Sequence, residues 1–167
     1  MTLPPLKTRT YTYRENRFDP AELADITGLE MLQQILAGER APPSIAATLN
    51  FAFHEVGPGR VVFRGEPADF AMNPIGVMHG GWAATLLDSC MACAVQTTLP
   101  RGTAYTTAEL SVNLTRAILP TTGPLLAIGT VIHGGRRVGT AEGRLVGEKD
   151  GKLYAHGTTT CVIFPVE

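Results

Sequence analysis

The chain has no stretch of 18 consecutive apolar residues, so nothing in it reads as a membrane-spanning helix. Its first residues, Met1-Thr-Leu-Pro-Pro-Leu-Lys7, lack the continuous apolar core of a secretory signal. An excess of charge of either sign is also missing. The 14 Lys and Arg against 15 Asp and Glu leave a formal net charge of −1, which argues against a general nucleic-acid or membrane-surface binder. Cysteine is scarce, and the three present (Cys90, Cys93 and Cys161) cannot all pair. Cys90 and Cys93 form a C-x-x-C, but no preceding strand or second ligand pair supports a redox or zinc reading. They read as buried free thiols, which fit a reducing compartment; a soluble, unsecreted, cytoplasmic protein is expected. His79, Asp88, His133 and His156 show none of the short spacings of known metal-ligand sets, so no metal is expected. Repeats and low-complexity tracts are absent too.

What remains is an ordinary globular composition: 167 residues, 44% of them hydrophobic, enough for one domain with a real core. Residues 1–27, rich in Thr, Pro, Tyr and charge at their start, read as an N-terminal arm on the surface or on a neighbouring subunit, ahead of a domain over 28–167. Leu29, Leu32, Ile35 and Leu36 recur at helical spacing, predicting a short helix from about Pro20 to Ala37 with a break at Thr27-Gly28. Pro42-Pro43 predicts an extended segment. Strands Thr48–Val56 and Arg60–Glu66 then flank the hairpin signal Gly57-Pro-Gly59. A helix from about Gly80 to Thr98 follows, with Trp82, Leu86, Leu87, Met91 and Val95 large and alanines between them. Its few polar residues, Thr85, Asp88, Ser89 and Gln96, fall near one narrow stripe; a helix this apolar is enclosed by other structure.

The remainder reads as strands: Ala104–Ile118, Leu125–His133, Arg137–Glu148 and Leu153–Phe164. Gly134-Gly135 and Asp150-Gly151 are tight-turn dipeptides, so the last three strands are expected to pair antiparallel. In the first of the four, Tyr105, Thr107, Glu109, Ser111 and Asn113 alternate with Ala108, Leu110, Val112 and Leu114, which predicts one polar face and one core face. The fold class is therefore α+β, with an antiparallel sheet curled around one long central helix.

The chemistry concentrates in Asn73-Pro-Ile-Gly-Val-Met-His79-Gly80-Gly81, followed by Leu87-Asp88. An Asp inside an apolar helix costs free energy by propensity and more by desolvation, and catalysis is the reading that best accounts for keeping it. An amide N–H at a helix start is a preorganised donor for a developing oxyanion, and glycine lets a substrate approach the backbone.

With Thr107-x-Glu109-x-x-Val112-Asn113 added, this pattern resembles the hotdog-fold acyl-CoA thioesterases of the PaaI (phenylacetate-degradation) type. Pro42-Pro43-Ser44-Ile45-Ala46 and Arg136-Arg137-x-x-x-Ala141-Glu142-Gly143 extend the resemblance, which covers roughly residues 28–164. It implies a sheet wrapped around the helix, a dimer with a continuous sheet, and often a dimer of dimers. It also implies Asp88 as nucleophile or general base, the Gly80 amide as carbonyl-polarising donor, Asn73 positioning water or the carboxylate, and Thr107 assisting the water. Coenzyme A enters as part of the acyl-CoA substrate, and no cofactor is required.

Other readings stand beside these. His79 reads as a residue that orders the turn, with proton transfer the alternative. Arg136 and Arg137 are either solvated edge charges or contacts to coenzyme A phosphates. Gly81 and Trp82 are candidate substrate contacts, Trp82 with a core role as its alternative. Two rival functions share the fold: an enoyl-thioester hydratase or dehydratase, and a non-catalytic acyl-CoA-binding protein. One inference needs no resemblance. Asp88 lies eight residues beyond Gly80, about 12 Å along a helix rising 1.5 Å per residue. One helix cannot easily bring both groups to one reacting carbon, so an active site shared between two chains is expected.

Overall fold

The helix that the sequence places at the centre begins at His79, whose backbone is extended and whose Nδ1 accepts a hydrogen bond from the Gly81 N–H at 2.9 Å. That cap and the two glycines after it start a helix in an otherwise apolar run, and Thr97 closes it. In the computed structural model, which describes residues 3–15 and 19–166, the elements follow in this order. Helices α1 (Pro20–Asp25), α2 (Gly28–Leu36) and α3 (Ser44–Leu49) precede strands β1 (Phe51–Gly57) and β2 (Arg60–Gly65). A single 3-10 turn over Asp69–Ala71 leads to α4 (Gly80–Gln96), and then come β3 (Thr103–Leu114), β4 (Leu125–Gly134), β5 (Val138–Gly147) and β6 (Leu153–Pro165).

The six strands form one antiparallel sheet in the order β1-β2-β4-β5-β6-β3. It curls around α4, whose Leu86, Leu87, Cys90, Met91 and Val95 are wholly buried. Close approach of helix to sheet depends on glycines on the inner face. A Cβ at Gly129 of β4 would lie 2.2 Å from the Cys90 carbonyl oxygen, and one at Gly65 of β2 would lie 2.4 Å from Leu86. The sheet thus presents bare backbone where the helix presses hardest.

Three expectations need correction. Pro43 is extended as predicted, but Ser44–Leu49 after it is helical, so the first strand starts at Phe51 rather than Thr48. Asn50, in the left-handed region at φ 59°, makes that turn from helix to strand. The strand predicted to reach Ile118 ends at Leu114. The single polar face predicted for β3 is also broken. A bulge between Thr107 and Glu109 shifts the phase by one residue. Before it, Tyr105 and Thr107 face the helix; after it, Val112 and Leu114 do. An alternation count cannot see an inserted residue.

The break predicted near Thr27-Gly28 is present, and Thr27 caps α2 through a reciprocal bond with Glu30. Within the proposed arm, Leu23 of α1 is buried against the body, so packing does not stop at residue 27. Residues 3–15 form no helix or strand. They are held on this chain by Arg9, which donates to the Ala47 and Thr48 carbonyls and lies 3.7 Å from the centre of the Phe70 ring. No helix among the described residues is long and apolar enough to cross a membrane.

Candidate active site

Asp88 sits two turns into α4 and is half-buried. Its carboxylate accepts a hydrogen bond from the Thr107 hydroxyl on β3 at 3.0 Å. Helix and edge strand thus bring together two of the residues selected from sequence. Both line a cavity of about 470 Å³ that runs between α4, β3 and α2, a size suited to a small-molecule group. Met31, Leu32, Ile35, Phe51, Phe53 and Phe63 make much of its wall apolar. Ser89, Ala92, Cys93 and Gln96 carry the α4 side.

Three of the four polar residues of the α4 stripe, Asp88, Ser89 and Gln96, therefore open onto this cavity, while Thr85 donates to the Gly81 carbonyl. Sequence reasoning noted the stripe without giving Ser89 or Gln96 a role, and read Tyr105 only as part of a polar face. The signal was there: polar side chains at that spacing in an enclosed helix must face a space or a partner. Tyr105 donates its hydroxyl to Gln96 Oε1 at 3.2 Å. Burial pushes its phenol well above the ordinary value, with the Cys93 and Cys161 thiols adding to the effect. Burial likewise drives the Cys93 thiol up to about 12 and raises that of Cys90 further. All three cysteines are free and buried, so at neutral pH they are protonated, apolar filling rather than nucleophiles.

The turn before α4 is tightly organised. Asn73 Oδ1 accepts from the Ile75 and Val77 amides at 3.1 and 3.3 Å, and the Asn73 amide donates to the Val77 carbonyl. The loop is pinned further by Met78 N–H to the Ile118 carbonyl and His79 N–H to the Ala71 carbonyl. Asn73 thus shapes the approach to the helix start with its oxygen already occupied. His79 Nδ1 is occupied as well, by the Gly81 amide. The Gly80 N–H has no acceptor among the described residues and stands at the positive end of the α4 dipole. Leu114 crowds Gly80 so closely that a Cβ there would lie 2.7 Å from its Cδ1.

Other candidates lie apart from Asp88. Trp82 is 2% exposed, donates its indole N–H to the Leu49 carbonyl at 2.7 Å, and does not line the cavity. In this chain it is a core residue. Arg136 and Arg137 lie in the turn from β4 to β5, exposed and without an ion pair among the described residues. That turn adjoins the C-terminal end of α4, where Gly134 meets Thr98, and so lies at the opposite end of the helix from Gly80. Among the described residues no cluster of three or more His, Cys, Asp or Glu side chains is placed to hold a metal ion.

Comparison with known proteins agrees with this architecture. The thioesterase superfamily model matches residues 75–154, which run from the Asn73 loop to the start of β6. A phenylacetic acid degradation-related protein from Ralstonia eutropha is 30% identical, with a TM-score of 0.70 over 78% of this chain and 97% of its own. A variant of the phenylacetic acid degradation protein PaaI from Thermus thermophilus is 26% identical, with a TM-score of 0.64 over 72% of this chain and 98% of its own. A candidate esterase from Halobacterium salinarum is 39% identical over 67 residues, which cover 40% of this chain and only 44% of that relative. The fold, the helix-start motif and the match to the Ralstonia protein converge: the chain belongs to the thioesterase superfamily of hotdog-fold enzymes and is PaaI-like within it.

Proposed function

We propose that this protein hydrolyses acyl-CoA thioesters to a carboxylic acid and free coenzyme A, in active sites each shared by two subunits. The observation that carries the reading is the Thr107–Asp88 hydrogen bond at the edge of an apolar cavity, on a helix whose first amide is uncommitted. A thioester carbonyl placed against the Gly80 N–H of one subunit gains a donor aimed at the oxygen where charge develops. Asp88 of the other subunit either takes a proton from water or attacks the carbonyl carbon itself. On the base route, water adds to the carbonyl, the C–S bond of the tetrahedral intermediate breaks, and the proton taken by Asp88 goes to the leaving thiolate, giving acid and thiol. On the nucleophilic route, C–S cleavage leaves the acyl group on Asp88 as an anhydride and the thiolate takes a proton from solvent. Water then cleaves the anhydride to free the acid and restore the carboxylate. Thr107, donating to one carboxylate oxygen, fixes its direction and leaves the other oxygen for water or substrate.

Sharing follows from reach: Gly80 and Asp88 are about 12 Å apart on one helix. The sheet supports the second subunit independently. β3 is a 12-residue edge strand, and Leu110 and Leu114 on it are exposed. A long edge strand with unpaired backbone groups is normally covered, and a second copy of β3 would cover it by continuing the sheet. Asn73 and His79 are then the residues that hold the loop and helix start in place, and Gly81 keeps the approach to them open. Arg136 and Arg137 offer guanidinium groups for the phosphates of coenzyme A.

A hydratase or dehydratase on the same fold needs a His and a carboxylate converging on adjacent carbons. The engagement of His79 Nδ1 by the Gly81 amide works against that role. Release of free thiol from an acyl-CoA separates the two, since only hydrolysis liberates it. Asp88→Ala should lower thiol release by about 10²–10⁴, the range for loss of a positioned base or nucleophile, while the protein remains folded. Activity retained within a few-fold would remove Asp88 from the mechanism.

A further inference from the structure

Gln96 is held from both sides of the cavity. Its Oε1 accepts from the Tyr105 hydroxyl on β3, and its Nε2 donates to the Met31 sulfur on α2 at 3.3 Å. These contacts make a bar across the cavity from strand to helix to helix. It lies on the same stripe of α4 as Asp88, two turns further on. We infer that this bar is the floor of the acyl pocket and that it makes the enzyme a hydrolase for medium-length acyl chains. The inference rests on the thioesterase reading above and adds the substrate class.

The length comes from two rulers. Along α4, Asp88 and Gln96 are eight residues apart, about 12 Å at 1.5 Å per residue. Along β3, their partners Thr107 and Tyr105 are two residues apart, about 7 Å at 3.4 Å per residue. The space between the reacting carboxylate and the bar lies between these limits. An extended chain advances about 1.2 Å per bond, so the pocket takes an acyl group of roughly six to ten carbons. Ala92 and Cys93 lie between the two ends on α4, and with Leu32 and Phe53 elsewhere in the cavity wall they offer an alkyl chain apolar contact rather than hydrogen bonds. The cavity does not stop at the bar: Leu23, Leu99 and Thr103 line it near the C-terminal end of α4. Shortening Gln96 should therefore connect the pocket to space already present.

The test is thiol release from saturated acyl-CoA esters of four to sixteen carbons, read as kcat/KM against chain length. Wild type should peak at about six to ten carbons. Gln96→Ala should move the peak to longer chains and raise the ratio of long-chain to medium-chain kcat/KM about tenfold, the scale of one methylene's worth of pocket contact. Ala92→Leu fills the pocket one turn beyond Asp88 and should move the peak the opposite way, to shorter chains. This second variant keeps the test sharp if the first folds poorly. A flat wild-type profile, or a peak that neither folded variant moves, overturns the gauge and leaves the hydrolase reading standing. Folded wild type that releases thiol from none of the series overturns the gauge, and if it also releases none from an aromatic acyl-CoA such as phenylacetyl-CoA the hydrolase reading falls with it.

Discussion

Replacing Gly129 with Ala adds one methyl where β4 presses on the middle of α4. Built on the observed backbone, that Cβ lies 2.2 Å from the Cys90 carbonyl oxygen, 2.4 Å from its carbonyl carbon and 2.7 Å from the Met91 nitrogen. Ordinary contact begins near 3.4 Å, so strand or helix must yield by about 1.2 Å, and all three obstacles are backbone. Overpacking of this kind costs about 1–3 kcal/mol, and a clash that no rotamer change relieves belongs at the upper end. For a chain of this size 3 kcal/mol lowers the melting temperature by about 6–12 °C. Gly143→Ala is the internal comparison, because its Cβ meets the flexible Met91 side chain at 2.7 and 2.9 Å. It should cost less than about 1.5 kcal/mol. Cys90 is two residues beyond Asp88, so a helix displaced by about 1 Å should also lose up to about 10²-fold in activity. Thermal and urea unfolding of both variants, with thiol release at a temperature where both are folded, measures each consequence. Gly129→Ala as stable as wild type within about 0.5 kcal/mol would refute the claim that bare backbone seats the helix.

Two further substitutions probe the site. Thr107→Ala should reduce kcat by about tenfold, because its hydroxyl orients the carboxylate without reacting; a loss as large as that of Asp88→Ala would reverse their roles. Arg136→Ala should raise KM for coenzyme A esters more than it lowers kcat, as when ground-state binding is lost, and an unchanged KM would leave Arg136 a solvated charge.

Much of this molecule could be read before its structure. Helical spacing, the turn dipeptides and the His-Gly-Gly start placed α4 and the last three strands within a few residues of where they lie. Local chemistry sets those features: a cap, a left-handed turn, a period. The Asp88–Thr107 pair was foreseen only through the resemblance, since 19 residues of chain separate the two and nothing local joins them. What was missed is tertiary. A bulge at Ala108 reverses which side chains of β3 face the helix, and the α3 helix forms directly after two prolines. The glycines at 65 and 129 read as nothing special in sequence, because their role appears only when α4 lies on them. Gln96 and Tyr105 were visible as polar residues in apolar settings, but the cavity they cross is assembled from three elements distant in sequence.

The claim on which the account turns is that Asp88 of one chain works with Gly80 of another, and complementation tests it most directly. Asp88→Ala lacks the carboxylate; Gly80→Pro lacks the amide donor and must first be shown to fold. A heterodimer of the two carries both lesions in one site and neither in the other. In an equal, fully exchanged mixture about half of the dimers are mixed, each with one intact site of two, so thiol release should recover to about a quarter of wild type from two inactive parents. Folded variants that exchange subunits, as shown by affinity-tag capture of mixed dimers, yet regain no activity would contradict the shared site.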